Sequence, residues 1–475
     1  MKEDCLISKT SLLTAIVASA NMVMVAETNT NVVNDSPSSA KSSLQIVAEN
    51  DAPQTWNWHI QNTDIVQGYP AFSSKYSGPN SLPSGGETRE TVSFDVYAGV
   101  RLWRGAEAHI DGLMWQGFGI GNTLGVEGFP NGEAFKVGTA VPNGNIARLF
   151  IRQTFALGGD PKNVSDSDLT LAGEQPVPRL TITLGRFSAE DIFDNNSYAN
   201  DPRTQFMNWA LMANAAWDYP ADALGYTTGT ALELYTPRWA LRYGFFQMPG
   251  SKNGLTAEDK FLKWPQDNSA GDGEFYHSWG MVAELERRWS LHTHPGTVRL
   301  LAFLNEADMG SYQEAVNEPT HPADIEETRT YRFKYGFGLN AEQEIMKNVG
   351  IFSRLGWNDG HQEGWAFTDV NYSGSLGVSI NGESWRRPDD TFGLAGVLSG
   401  ISHENQKYLA AGGTDLLDGD GALNYGWEKI AETYYDFKIW KTIHGALDYQ
   451  FICNPAFNRD RGPVSVLGAR FHWEF

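Results

Sequence analysis

Apolar and polar side chains alternate along the last residues of the chain. One face carries Leu467, Ala469, Phe471, Trp473 and Phe475, and the other, mostly polar face carries Val466, Gly468, Arg470, His472 and Glu474. Successive side chains of a strand point to opposite sides, so this pattern predicts a strand with one apolar and one solvated face. Such a strand could close a transmembrane barrel or end a soluble sandwich.

The same alternation recurs from Trp56 to the end of the chain. Clear examples are residues 92–102, 147–152, 179–184, 298–304, 331–340, 433–439 and 443–451. We count about sixteen such segments of about ten residues, the length that a tilted strand needs to cross a bilayer. Turn-forming pairs such as Asn381-Gly382 separate them.

Charged residues occupy the polar face in the middle of these strands. Arg148, Arg152, Arg332 and Lys334 are examples. They would be costly to bury in a soluble core without partners, whereas a water-filled lumen accommodates them. The sequence therefore predicts an all-β fold, a transmembrane antiparallel β-barrel of about sixteen strands.

One segment, Asn200–Trp217, has helical character. It is rich in Ala, Leu and Met, with Asp201 as a candidate cap and Pro202 at the first helical position. A short helix in an all-β chain belongs in a connection. We expect this loop to fold into the lumen or to cover it.

The amino-terminal part differs from the rest. Residues 1–26 are predicted to be a signal peptide, cleaved after Ala20 or Ala26, and residues 27–55 a mobile polar segment. Residues 56–475 form the predicted barrel. The net charge of −21 argues against nucleic acid as a partner, because phosphates require a basic surface.

The central part of the chain carries a long, specific motif. It comprises Leu184–Phe187, Asp191–Asp194, Ser197–Leu211 and Ala216–Asp222, with a later region at Gly419–Gly426. These segments resemble the carbohydrate-selective porin family (OprB type) of Gram-negative outer membranes. The resemblance implies a sixteen-stranded barrel, passive uptake of small sugars, and a constriction lined by loop residues and arginines.

Sugars are neutral and rich in hydroxyls, so fixed arginine donors and carboxylate acceptors can replace their hydration, and aromatic rings can pack on their C–H faces. The candidate channel-lining residues are Arg148, Arg152, Arg186, Asp191, Asp201, Arg203, Asn208, Trp209 and Trp217. Structural roles remain open for several: the two tryptophans could anchor the loop helix, and Asp201 with Arg203 could form a local cap and salt bridge.

Other functions remain as alternatives. A general-diffusion or polysaccharide-export barrel has the same strand pattern, and the clustered carboxylates between Asp191 and Asp222 would suit a secreted glycoside hydrolase. The acidic segment Asp415–Gly421 loosely resembles a calcium loop but lacks the downstream glutamate, which favours a solvated loop. No enzyme activity, metal or cofactor is predicted.

The expected partners follow from the barrel. They are small neutral sugars in the lumen and outer-membrane lipid around the wall. A terminal Phe475 with aromatic residues two and four positions before it resembles the signal by which outer-membrane barrels are assembled, so the barrel assembly machinery is a further expected partner.

Overall fold

The computed structural model describes residues 53–134, 138–253, 277–318 and 321–475. The predicted signal peptide and the polar segment up to residue 52 lie outside these residues. Among the described helices, none has both the length and the apolar character needed to cross a membrane.

Within these described residues, sixteen antiparallel strands close into one barrel, and two further strands, β5 and β6, pair only with each other. In chain order β1 to β18 are Trp56–Tyr69, Glu87–Trp103, Ala106–Gly117, Thr139–Ala156, Pro161–Val164, Gly173–Pro176, Arg179–Phe187, Thr227–Tyr235, Trp239–Gln247, Trp279–Leu291, His294–Met309, Thr330–Met346, Val349–Asn358, Tyr372–Asn381, Thr391–Gly400, Glu428–Trp440, Ile443–Cys453 and Val464–Glu474. Helices α1 to α3 are Trp209–Met212, Tyr312–Asn317 and His403–Ala410. The predicted fold class is confirmed.

The burial of the strands is the inverse of that in a soluble protein. Phe333 and Phe337 on β12 are 52% and 56% exposed on the outer face, whereas Lys334 between them is fully buried on the inner face. Its ammonium donates to the carbonyls of Gln362 and Glu363, each at 3.3 Å. The polar faces of the strands therefore point inward, as predicted, and the apolar faces form the lipid-facing surface.

The carboxy-terminal strand closes this surface. Leu467 and Phe475 are 63% and 70% exposed on the outside, while Arg470 is buried on the inside. Residue 475 pairs with β1, because its N–H donates to the carbonyl of Ile60 at 2.8 Å and its carbonyl accepts from the Ile60 N–H at 3.0 Å. The strand predicted from the alternation is therefore the one that closes the barrel, by pairing with β1.

The two ends of the barrel differ in their connections. One end has tight turns such as 104–105, 292–293 and 441–442, with longer connections at 157–178, which carries β5 and β6, and at 382–390. The other end, called here the long-loop end, has the connections 118–138, 188–226, 359–371 and 401–427 among others. In outer-membrane barrels short turns are periplasmic and long loops extracellular, which orients this barrel.

The predicted helix is much shorter than expected. Within Asn200–Trp217 only Trp209–Met212 is α-helical, and its cap is Asn208 rather than Asp201. The reason is tertiary: Glu432 on the barrel wall accepts hydrogen bonds from backbone N–H groups just before α1. A longer helix would take those N–H groups away from the wall.

The acidic segment Asp415–Gly421 is not a solvated loop, and that expectation was wrong. Asp418 is fully buried and Leu417 is 1% exposed. The Leu417 carbonyl accepts from the Gly125 N–H at 2.8 Å, and its N–H donates to Asp369 at 3.2 Å. The backbone of Leu417 thus joins the segment to two neighbouring loops, and the burial of this segment desolvates its carboxylates.

Candidate functional site

The connection 188–226 between β7 and β8, called here the inner loop, folds back into the barrel. Its backbone and side chains form hydrogen bonds to the inner wall on β10, β12, β13, β16, β17 and β18, through Glu284, Asn340, Glu342, Arg354, Glu432, Gln450 and Arg470. The inner loop therefore covers much of the wall and narrows the lumen.

Arg354 is the main anchor of this loop. It is 2% exposed, and its guanidinium donates to both the carboxylate and the carbonyl of Asp194 at 2.9 Å. It also donates to the carbonyls of Ala199 at 2.7 Å and Leu211 at 2.9 Å. One buried side chain therefore joins three separate points of the inner loop to β13.

Asn208 is a second anchor. Its side-chain oxygen accepts from the Ala210 N–H at 3.0 Å and caps α1, and its amide donates to Gln450 at 2.9 Å and to the Gly128 carbonyl at 2.7 Å. Asn208 is fully buried. Asn208 therefore joins the inner loop to β17 and to the connection 118–138.

The two predicted tryptophans are also buried. Trp209 is 2% exposed and stacks on Phe129, with ring centroids 5.4 Å apart, and on Phe367 at 6.5 Å. Trp217 is fully buried and meets the ring of Phe193 edge-on at 6.4 Å. Trp209 therefore joins the inner loop to the connections 118–138 and 359–371, whereas the contact of Trp217 lies within the inner loop.

Arg148 on β4 faces the lumen and is held by two carboxylates. It donates to both oxygens of Asp191, at 2.8 and 2.7 Å, and to Asp111 on β3 at 2.7 Å. The guanidinium lies 5.0 Å from the ring centroid of Tyr226. Its side chain keeps 13% exposure, so a fixed, partly hydrated donor projects from the wall.

Arg203 of the inner loop has an equivalent environment. It contacts Asp95 on β2 at 3.0 Å and Glu133 at 2.8 Å, and donates to the Tyr97 hydroxyl at 3.3 Å. Its side chain is 12% exposed. Asp201, a predicted partner, instead accepts from the Arg203 backbone N–H at 2.9 Å and so forms a local turn.

The remaining predicted residues lie beside or away from these arginines. Arg186 is 4% exposed, pairs with Asp222 and donates to the Ile146 carbonyl at 3.0 Å. Arg152 lies toward the short-turn end, where it donates to the Leu169 carbonyl at 2.9 Å. Arg152 therefore lies on the polar wall, where its guanidinium is 5.0 Å from the ring centroid of Phe150.

Two arginines and four carboxylates thus meet where the inner loop faces β2, β3 and β4. We call this group the charged cluster: Arg148, Arg203, Asp95, Asp111, Glu133 and Asp191. Sequence analysis identified three of its members and missed Asp95, Asp111 and Glu133. Asp95 lies on the polar face of a predicted strand, but only strand register places Asp111 opposite Arg148.

Comparisons with known proteins agree with this architecture. The sequence profile of the family described as carbohydrate-selective porin, OprB family, matches residues 80–475. Porin AaxA of Chlamydia abortus is 22% identical over 317 residues, which are 64% of this chain and 56% of that protein, so the alignment spans little more than half of this relative. The high-pH structure of Pseudomonas putida OprB matches with a TM-score of 0.67 at 16% identity, covering 89% of this chain and 94% of that one. The profile covers most of the barrel, and the chain therefore belongs to the carbohydrate-selective porin family of the OprB type.

Proposed function

We propose that this outer-membrane porin lets small neutral sugars such as monosaccharides diffuse passively, and that the charged cluster selects them. The observation that carries this proposal is the pair Arg148 and Arg203. Each guanidinium is fixed by two carboxylates and yet keeps 13% and 12% of its side chain exposed. Donors that are already ordered cost little entropy when they bind a passing hydroxyl.

The chemistry of the charged cluster suits a neutral, hydroxylated solute. Guanidinium N–H groups donate to sugar oxygens and carboxylates accept from sugar hydroxyls, so the lost hydration is replaced. Because both signs of charge are interspersed, the cluster does not present the single-sign ring that selects ions. The inner loop occupies lumen space, which favours small solutes over polymer chains.

The family and the fold indicate a channel rather than an enzyme. The carboxylates that suggested a glycoside hydrolase have other partners: Asp194 is bound by Arg354, and Asp222 by Arg186. Asp218 accepts three backbone N–H groups, from Trp365 at 2.7 Å and from the next two residues at 3.0 and 2.8 Å. These interactions hold the inner loop against the barrel wall and the neighbouring loop.

Solute flux into liposomes tests the proposal. In the wild type we expect a neutral hexose to enter faster than a neutral amino acid of similar size, and faster than a disaccharide. In Arg148→Ala and Arg203→Ala we expect this advantage to fall by about tenfold each, since one hydrogen bond to a charged donor is worth about 1.5–3 kcal/mol.

Arg89→Ala provides a matched control, because Arg89 lies near the long-loop end of β2 and is 39% exposed beside Glu87. We expect hexose preference in this variant to equal that of the wild type. Flux ordered by size alone, and unchanged in both cluster variants, would show a general-diffusion pore and reject the proposed role of the charged cluster.

We also propose that the barrel assembly machinery recognises β18 through its outward aromatic residues. Trp58 on β1 contacts Phe475 with ring centroids 5.4 Å apart, so this residue lies at the closing seam. Phe475→Ala is expected to reduce severalfold the amount of folded barrel in outer-membrane fractions. Phe337→Ala, which removes an aromatic residue from the same outer surface, should assemble normally; equal losses in the two variants would contradict recognition of this strand.

A further inference from the structure

Three loops at the long-loop end each bring one carboxylate to the same place. Glu127 comes from 118–138, Asp369 from 359–371 and Asp418 from 401–427, and we call them the acidic triad. One oxygen of each residue lies within 4.8 Å of the corresponding oxygens of the other two. All three side chains are fully buried.

Most oxygens of the acidic triad lack the donors that buried carboxylates normally have, and the exception is Oδ2 of Asp369, which accepts from the N–H groups of Leu416 and Leu417 at 3.0 and 3.2 Å. Both oxygens of Glu127, both oxygens of Asp418 and Oδ1 of Asp369 have no hydrogen-bond partner among the described residues. The neighbouring Glu428 shows the usual arrangement, since it accepts from the N–H groups of Glu127, Gly128 and Ala456 at 3.2, 2.8 and 2.9 Å. Buried polar groups normally have hydrogen-bond partners, so these five oxygens mark a position where a positively charged ligand would be stabilised.

The nearby lysine is bound elsewhere. The Lys252 ammonium contacts Glu363 at 2.7 Å and Asp415 at 2.5 Å. Burial, followed by repulsion between the carboxylates, raises the pKa of Glu127 and of Asp418 well above the ordinary value. Burial and the negative charge of Asp415 do the same to the pKa of Asp369. Among the described residues, no ammonium or guanidinium group therefore forms an ion pair with the acidic triad.

We propose that the acidic triad binds one divalent metal ion, with Ca²⁺ as the preferred ion. The donor set consists of oxygen alone, which suits hard cations, whereas Zn²⁺ sites usually include histidine or cysteine beside any carboxylate. Ca²⁺ tolerates irregular geometry and up to eight ligands, whereas Mg²⁺ needs a near-ideal octahedron and keeps its water. Three carboxylates from three separate loops form an irregular, buried site, which suits Ca²⁺ better than Mg²⁺.

Such an ion would also stabilise the inner loop. Phe129 lies two residues after Glu127 and stacks on Trp209, with ring centroids 5.4 Å apart. Residues 365–367, just before Asp369, donate their N–H groups to Asp218 of the inner loop. Joining these two outer loops through a metal ion would therefore order the segment that narrows the lumen.

Calorimetry on the purified, full-length protein in detergent tests the proposal. After EDTA treatment and dialysis, titration with Ca²⁺ is expected to show about one site per chain, and the thermal midpoint should rise with Ca²⁺. Mg²⁺ should bind more weakly. Glu127→Gln and Asp418→Asn should lose the binding and the rise in midpoint.

The same variants distinguish a metal site from a purely structural cluster. In EDTA each should be at least as stable as the wild type, because a neutral amide removes repulsion. The exposed Glu318 lies on another long loop, so Glu318→Gln should bind Ca²⁺ like the wild type. Absence of Ca²⁺ binding by the wild type, or full binding by Asp418→Asn, would overturn the proposal.

The pH dependence gives a further measurement. The charged groups that act on the acidic triad are Lys252, Lys334, Asp415, Asp420 and Glu428. Carboxyl groups with a raised folded-state pKa resist ionisation, so in EDTA wild-type stability should fall as pH rises above about 4. Ca²⁺ displaces protons, so its affinity and its stabilising effect should increase over the same range. A Ca²⁺ effect that did not change with pH would contradict binding by these carboxylates.

Discussion

Arg354→Ala is expected to release the inner loop from the wall and to raise the single-channel conductance. The native guanidinium makes hydrogen bonds of 2.7–2.9 Å to Asp194, Ala199 and Leu211. Removing it leaves the Asp194 carboxylate buried with fewer partners, a change that costs about 3–5 kcal/mol. The equilibrium between attached and detached inner loop should shift by about 10²- to 10⁴-fold.

Planar-bilayer recordings measure this effect directly. We expect larger and more variable conductance, together with loss of the hexose preference in liposome flux, while the barrel itself remains folded. Arg354→Lys should be intermediate, because one ammonium cannot reach all four acceptors. Arg332→Ala on the adjacent strand is the control, since Arg332 binds the half-exposed Glu314 rather than the inner loop. A folded Arg354→Ala channel with native conductance would show that Arg354 does not hold the loop.

Arg242→Met is expected to destabilise the barrel wall. Arg242 is 1% exposed and contacts Glu233 at 3.3 Å, Glu284 at 2.6 Å and Glu286 at 3.1 Å. It also donates to the Tyr235 hydroxyl at 2.7 Å. Removing this cation leaves three buried carboxylates close together with less compensating charge. We therefore expect the free energy of unfolding to fall by about 3–5 kcal/mol.

Urea unfolding in detergent micelles measures the loss. Arg287→Met is the matched control: its guanidinium lies over the Trp239 ring at 4.5 Å, an exposed contact worth about 0.5–1 kcal/mol. Adding Glu284→Gln to Arg242→Met should restore part of the stability, because one uncompensated charge is removed. Equal effects of Arg242→Met and Arg287→Met would contradict the view that the arginine holds this buried network together.

Several features of the fold could be predicted because they are local. The alternation of residues such as Phe333, Lys334 and Phe337 depends only on the period of a strand, and the structure confirms which side of each is buried. The helix was overestimated, because composition and a plausible Asp201 cap were outweighed by hydrogen bonds to a strand more than two hundred residues later.

The candidate site could be predicted only in part. Arg148, Asp191 and Arg203 were identified from a polar strand face and a motif, and they lie in the charged cluster. Trp209 and Trp217 were identified from the same motif, but their aromatic character does not reveal whether they face the lumen or the loop interior. The acidic triad was not visible, because its members come from three distant loops.

Local sequence patterns are enough to predict about sixteen strands with an apolar outside and a polar inside, because both follow from the period of side chains in a strand and from transfer free energy. Which charged residues come into contact depends instead on strand register and on the path of the inner loop. Strand register places Asp111 opposite Arg148, and the path of the inner loop brings Arg203 to Asp95. Contacts between residues far apart in the chain depend on how the barrel closes and where the loop is anchored, and no local pattern encodes either.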